Sequence, residues 1–328
     1  PVSRHPLKPS LETPMARHLL TPDDIRRFTT RSNVMGVWAL ISTWTVIGLC
    51  FAALARWPHP LTFIAVVVIL GGRQLALAIL GHEAAHRTLF RHRGLNDWAG
   101  DWLAARWIWN DVPRYRLHHM KHHAHTGRPE DPDLSLVDPF PTTRRSLWKK
   151  VLRDLSGLTG LRRIAAQVLM DIGVFDYTVA AKVTPRPRNG RRWHDYAREG
   201  LRNLSGVVLL NLSMLVAFAA LGHAWLYTAW AAAYLTTFSL FIRLRSIAEH
   251  ACMERSADPL RNTRTTRAGW LARCTVAPFN VNYHLEHHLL AAVPWYRLPA
   301  LHQLLRERQA VAAAPGYLAV LRQASAAG

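Results

Sequence analysis

The 18 histidines of this chain are unevenly placed. His82 and His86 stand in GHEAAH. His118, His119, His122, His123 and His125 stand in HHMKHHAH, and His284, His287 and His288 in HLEHH; His250 ends IAEH. On a helix, residues i, i+3 and i+4 share a face. A HxxxH pair therefore aims two imidazoles at one point. A HxxHH set aims two at one point and turns the adjacent third toward a neighbouring one. One HxxxH and two HxxHH sets supply eight imidazoles, more than a single tetrahedral zinc uses and enough for two metal ions with four or five ligands each. Imidazole suits iron, zinc, copper and nickel alike, so ligand type leaves the metal open. A ligating imidazole also needs a partner on its other ring nitrogen, and Glu83, Glu249, Glu286, Asp131 and Asp133 are close enough in sequence to serve. Ordinary helix-end or loop roles compete for those carboxylates. His5, His18, His59, His92, His194, His223 and His302 stand apart and read as solvated or hydrogen-bonded side chains.

The elements that must position these clusters are apolar. Residues 34–55 carry no charge and are long enough to span a bilayer. Residues 61–81 form a second candidate, interrupted by Arg73 and Gln74, which pack inward or snorkel. The link RWPHP makes the two an antiparallel hairpin. Residues 204–221 and 224–242, separated by Gly222 and His223, form a second hairpin. The region 1–33 holds 6 Lys+Arg, 82–202 holds 22 and 243–328 holds 11, whereas the two short links hold Arg56 alone. Basic segments stay on the cytoplasmic side. The expectation is an all-α integral membrane protein of one domain: four transmembrane helices in two hairpins under a cytoplasmic helical cap. Both termini and the regions 1–33, 82–202 and 243–328 are then cytoplasmic. His82 follows the second span and His250 the fourth, so packing of the hairpins would gather all the clusters just under the membrane face. Trp98, Trp102, Ala105 and Trp109 share one helical face and predict a helix lying in the interface, as does the mixed stretch 151–181. Residues 183–193 read as an exposed basic loop.

Composition narrows the class. The formal charge is +20, yet half the residues are hydrophobic and 13 are Trp. Basic loops around apolar spans account for this better than nucleic-acid binding, of which there is no motif. Cys50, Cys252 and Cys274 form neither a CxxC pair nor an iron–sulfur spacing. Residues 1–33 are polar and do not read as a signal peptide. The Arg and Ala bias points to a bacterial inner membrane.

GHEAAH, HHMKHH and HLEHH resemble, in order and separation, the three histidine boxes of the membrane fatty acid desaturase superfamily. The surrounding HAHTGRPEDPDL and NYHLEHHLLAAVPWYRLPALH add to the resemblance, which covers roughly 34–303. It implies a mushroom-like helical fold and a non-haem di-iron centre that works with O2. It places iron ligands at His82, His86, His119, His122, His123, His284, His287 and His288, and nominates His250 as a ninth. His118 or His125 could replace a member of the second box, but since only His119 completes HxxHH they read as neighbours that orient ligands, and Asn282 is a water-holding group by analogy. The implied reaction is desaturation of an acyl chain in a membrane lipid or acyl thioester. Hydroxylases and other lipid or carotenoid oxygenases share the boxes; the DPD extension and HLEHH resemble acyl desaturases more. The chain contains no HPGG-type haem segment and no ferredoxin cysteines, so electrons are expected from a separate ferredoxin-like or cytochrome-b5-like donor and its reductase. Two readings of other classes compete. HEAAH satisfies the zinc-protease HExxH motif, but a protease leaves the other boxes idle. A metal transporter would carry its ionisable ligands within the spans.

Overall fold

A computed structural model describes residues 13–327. The part of 1–33 before Thr13, with His5, lies outside the described residues. Among those described, every regular element is helical, and β pairing is limited to isolated bridges.

Two short capped helices, α1 (Pro14–Leu19) and α2 (Pro22–Phe28), lead into α3 (Asn33–Arg56) and α4 (Pro60–Ala85). The Ser32 side chain caps α3, and His59 with Pro60 opens α4 three residues after α3 ends. At 24 and 26 residues these helices are about 36–39 Å long, more than the roughly 30 Å hydrocarbon core. Next come α5 (Arg93–Trp102), a 3-10 turn over Ala105–Ile108, α6 (Val112–His125), α7 (Leu134–Val137), α8 (Arg144–Leu155) and α9 (Leu158–Asp171). The third long apolar helix is α10 (Trp193–Ala220). It begins well before the expected 204 because the Asp195 carboxylate accepts the Arg192 N–H and starts the helix there. The chain continues through α11 (Tyr227–Leu235), α12 (Thr237–His250), α13 (Pro259–Asn262), α14 (Trp270–Cys274), α15 (His284–Leu289), α16 (Leu298–Glu307) and α17 (Tyr317–Ala324).

Helix α4 is the hub, touching α3, α5, α6, α11, α12 and α14. Its apolar window is 56% buried, against 39% for α3 and 11% for α10. The row Val208, Leu209, Leu212 and Val216 of α10 therefore faces outward. An exposed apolar surface of that extent is what a bilayer covers.

Among the described residues, three helices are long and apolar enough to cross a membrane. The expected fourth span, 224–242, is not one helix. The backbone breaks at Thr236 (φ −108°, ψ −85°), between α11 and α12. Arg163 Nη2 donates to the Tyr234 carbonyl at 2.9 Å, and Ser239 Oγ to Leu235 O at 3.0 Å. A side chain that captures a helical carbonyl breaks the ladder at that point.

The expected interfacial helix through Trp109 is also shorter. It ends at Trp102, because Asp101 accepts Arg106 Nε at 2.6 Å and Val112 N at 2.9 Å and folds the chain back. The stretch 151–181 is helical only to Asp171: α8 and α9, parted by Gly157 at φ 80°, present Leu152, Leu158 and Leu161 outward, and 172–181 is not helical.

The region 243–328 also reaches along α4, well away from the end that carries His82. Helix α14 and the turn 278–280 pack against the middle of α4. A Cβ on Gly72 would collide with Cys274 O, and Arg73 Nη2 donates to that carbonyl at 3.1 Å. Gly72 precedes His82 by ten residues, or about 15 Å along the helix. Buried backbone outside a long helix is tolerated only where protein satisfies it. Arg73 does so here, and Gln74 Nε2 likewise donates to Trp230 O at 2.9 Å.

Candidate metal centre

The histidine clusters sit on four elements. His82 is in the last turn of α4 and His86 caps it. The second box rides on α6, opened by the Asp111 side chain accepting Arg114 N. Arg116 reaches from α6 to the last carbonyls of α4, Ala84 O at 2.8 Å and Ala85 O at 2.9 Å. A cation at a helix C-terminus is favourable, and this one holds the first two boxes together. The third box is α15, a six-residue helix whose side chains are all buried. His250 is the last residue of α12.

These elements bring nine imidazoles into two groups. His82, His86, His119, His123 and His287 form one; His122, His250, His284 and His288 form the other. Within each, one nitrogen per ring lies within 4.8 Å of all the rest. Each HxxHH helix serves both groups. The i, i+4 pair His119/His123 faces the first and His122 the second, whereas His284/His288 face the second and His287 the first. Ring nitrogens oppose one another closely: His284 Nε2 lies 2.8 Å from His250 Nε2 and 3.1 Å from His288 Nε2, and His123 Nε2 lies 3.0 Å from His287 Nε2.

Metal ions fit this donor set. Both ring nitrogens of His82 and His86, and Nδ1 of His284 and His287, are buried with no hydrogen-bond partner. Buried polar atoms are normally paired, so convergent unpaired nitrogens mark a site built for something else. Burial, then mutual repulsion among the rings, holds His119, His123, His284, His287 and His288 well below the ordinary 6.5. The rings are thus neutral and able to ligate at neutral pH. His122 differs. Burial pushes it down, but the Asp131 hydrogen bond and the nearby Asp133 charge outweigh this and raise it.

The candidate orienting groups divide. Asp131 Oδ1 lies 2.7 Å from His122 Nδ1 and leaves Nε2 for the group. Asp133 instead holds His118 Nε2 at 2.7 Å. His118 and His125 lie outside both groups. Glu249 Oε1 is 3.4 Å from His284 Nδ1 and is itself held by Arg245 Nε at 2.6 Å. Glu83 Oε1 lies 3.7 Å from His82 Nδ1, while Thr88 Oγ1 and Trp295 N donate to its Oε2 at 2.7 and 3.1 Å. Glu286 faces away, bonding His302 Nδ1 at 2.7 Å and accepting from Thr265 Oγ1. Asn282 Nδ2 donates to Thr266 O at 2.8 Å and not to a ring of either group. Four contributors escaped sequence reading. Asn262 O faces His250 Nδ1 at 3.2 Å, Thr126 Oγ1 faces His288 Nδ1 at 3.3 Å, Tyr115 stacks on His119 at 5.2 Å, and His302 pairs with Glu286. Thr126 and His302 had a signal, lying within the stretches that continue the second and third boxes; the others depend on tertiary approach.

Comparison with known proteins agrees with this geometry. Residues 57–320 match the family model described as fatty acid desaturase. The chain is 28% identical over 283 residues to a dihydrorhizobitoxine desaturase of Bradyrhizobium elkanii, covering 81% of this chain and 74% of that protein. It is 23% identical to an acyl-lipid (9+3)-(E)-desaturase of Dimorphotheca sinuata, covering 90% and 82%. It is 26% identical to a zeaxanthin 4-ketolase of Chlamydomonas reinhardtii, covering 91% of this chain but 58% of that protein. Desaturases and ketolases are both oxidoreductases, and neither the protease nor the transporter reading is needed once the nine rings are grouped. With a model match across most of its length, this chain belongs to the fatty acid desaturase family.

Proposed function

We propose that the chain is a multi-pass membrane enzyme that binds two iron ions and uses O2 to introduce a C=C bond into the acyl chain of a membrane lipid or acyl thioester. The observation that carries this is the pair of buried groups of five and four imidazoles. His82, His86, His119, His123 and His287 would hold one iron, and His122, His250, His284 and His288 the other. Bound there, two iron ions supply the O2 reduction and hydrogen abstraction that an unactivated methylene requires. The chain's own residues do the rest. Asp131 and the Asn262 carbonyl hold His122 and His250 by their Nδ1 atoms, so that Nε2 points inward. Arg245 holds Glu249 beside His284. The buried setting excludes water, and Leu285 and Leu289 wall the third box.

Desaturation consumes one O2, two electrons and two protons, and releases two waters as two C–H bonds become one π bond. The electrons come from a separate ferredoxin-like or cytochrome-b5-like donor with its reductase. The positive charge of 82–202 and 243–328 supports a cytoplasmic site, cytoplasmic termini and residence in a bacterial inner membrane. The ketolase relative supports a second reading, in which the same centre inserts oxygen into a lipid or carotenoid.

The test is mass spectrometry of lipids from cells expressing the wild type with a matched donor, beside His287→Ala. Acyl chains lighter by two hydrogens, absent from the variant, support desaturation. A gain of oxygen moves the assignment to an oxygenase with the site retained. Unchanged lipids from cells holding iron-loaded wild type and a working donor overturn both.

A further inference from the structure

A second polar cavity of about 270 Å³ lies on the flank of the histidine end, between Thr265–Ala268, α14 and α16. The metal centre makes no use of it. Its floor is polar: Thr265 and Asn282 are buried and His302 is half-buried. Asn282 Nδ2 donates to Thr266 O at 2.8 Å, which fixes how the amide is turned. Its Oδ1 is left buried with no partner, on a residue 6% exposed. The rim carries Arg267, Arg273 and Arg306, all exposed, and no carboxylate lines the cavity. The guanidiniums of Arg267 and Arg273 make no ion pair among the described residues, and Arg306 gives one hydrogen bond, to Val311 O.

Three guanidiniums that face no carboxylate select an oxyanion, phosphate above all. An orphaned acceptor on the floor needs a donor hydrogen. The ligand must carry both within a few atoms. The volume falls under the roughly 300–1,000 Å³ of pockets that enclose a drug-sized molecule, so it suits a headgroup and not a nucleotide cofactor. Beside Arg273, Trp270 and Leu271 are 79% and 66% exposed. Aromatic and apolar residues next to arginines are the pattern of a lipid interface.

We propose that this cleft binds the headgroup of a phospholipid that carries a donor, of the phosphoethanolamine or phosphoglycerol kind. Arg267, Arg273 and Arg306 take the phosphate, and Asn282 Oδ1 takes the ammonium or hydroxyl. That the phosphate belongs to a lipid, and not to a soluble ester, rests on the membrane-enzyme reading above. Asn282 and Tyr283 run directly into the third box, so a bound headgroup sits at its edge.

The test uses the full-length protein, equilibrated with phosphatidylcholine vesicles doped with phosphatidylethanolamine or phosphatidylglycerol, then read by native mass spectrometry for retained lipid. Wild type should retain a donor-bearing lipid at least ten-fold better than phosphatidylcholine, whose headgroup has no N–H or O–H. Arg267→Ala/Arg273→Ala should lower that retention at least ten-fold while metal content holds. Asn282→Leu should erase the preference between headgroups. Equal retention of phosphatidylcholine, or an undiminished lipid in a metal-retaining double variant, overturns the proposal. Should the double variant lose its metal, competition on the wild type decides. Displacement by millimolar glycerol 3-phosphate supports headgroup recognition, and none overturns it. Tighter binding of glycerol 3-phosphate than of any lipid overturns the lipid assignment and leaves a soluble phosphate ester as ligand. Binding is read without turnover, so an empty cleft leaves the iron assignment intact, and an inactive enzyme leaves the cleft intact.

Discussion

His287 belongs to the third box by sequence but to the first imidazole group by position. His287→Ala should therefore remove a ligand from a group otherwise built by α4 and α6, lowering bound iron and abolishing turnover while helix content persists. Iron per chain and far-ultraviolet circular dichroism check this; an active, iron-replete variant refutes the ligand assignment. His302 makes the opposite kind of prediction. It touches no ring of either group through a hydrogen bond, yet it pairs with the fully buried Glu286. Removing one partner of a buried hydrogen bond costs about 1–3 kcal/mol, because the other is left unsatisfied. His302→Ala should lower the thermal midpoint clearly, and His302→Gln, which can still donate, should recover part of it. Equal midpoints for wild type and His302→Ala would show that the pair contributes nothing. The box histidines were legible because their spacing is helical. His302 was not, since sixteen residues of chain separate it from Glu286 and only the packing of α16 on α15 closes the gap.

At the scale of elements, the close approaches around α4 decide where the boxes meet. Gly71 and Gly72 let Thr237 of α12 and Cys274 of α14 come against its backbone. The Gly72 neighbour is a backbone carbonyl, which cannot swing aside. Gly72→Ala should destabilise by about 1–3 kcal/mol, as overpacking does. Gly48 of α3 meets nothing within 4 Å, and Gly48→Ala should be neutral or stabilising by up to about 1 kcal/mol through helix propensity. Thermal unfolding of both variants in one detergent makes the comparison; equal effects would mean that α14 does not pack on α4. The apolar runs 34–55 and 61–81 were readable as spans from length alone. The break at Thr236 was not, because Arg163 on a distant helix causes it. Nor was the packing of α14 against Arg73, which joins residues 201 positions apart.

For the whole molecule, burial of neutral imidazoles ties stability to pH. His119, His123, His284, His287 and His288 are held well below 6.5, so below about pH 6.5 the unfolded chain takes up protons that the fold refuses. Metal-stripped protein should lose stability progressively as pH falls from 6.5, and little between 7 and 8. His122, which shifts upward, opposes the trend but is one ring against five. A flat denaturation midpoint from pH 7.5 to 5 would contradict the buried placement of these rings. Topology is tested separately. In a background without Cys50, Cys252 and Cys274, Asn189→Cys and His59→Cys should label from opposite faces of the membrane. Labelling from one face would overturn the hairpin arrangement.

By itself the sequence determined which histidines can act together and that the fold is helical: local spacing decides which imidazoles share a helical face, and run length decides which helices suit a bilayer. Both are properties of neighbouring residues. Tertiary structure alone decided which rings of different boxes share a group, that Glu286 turns away from them, that 224–242 is broken, and that α14 returns to the middle of α4. Each of those depends on a partner far along the chain, whose approach is a matter of packing and carbonyl satisfaction that no local pattern encodes.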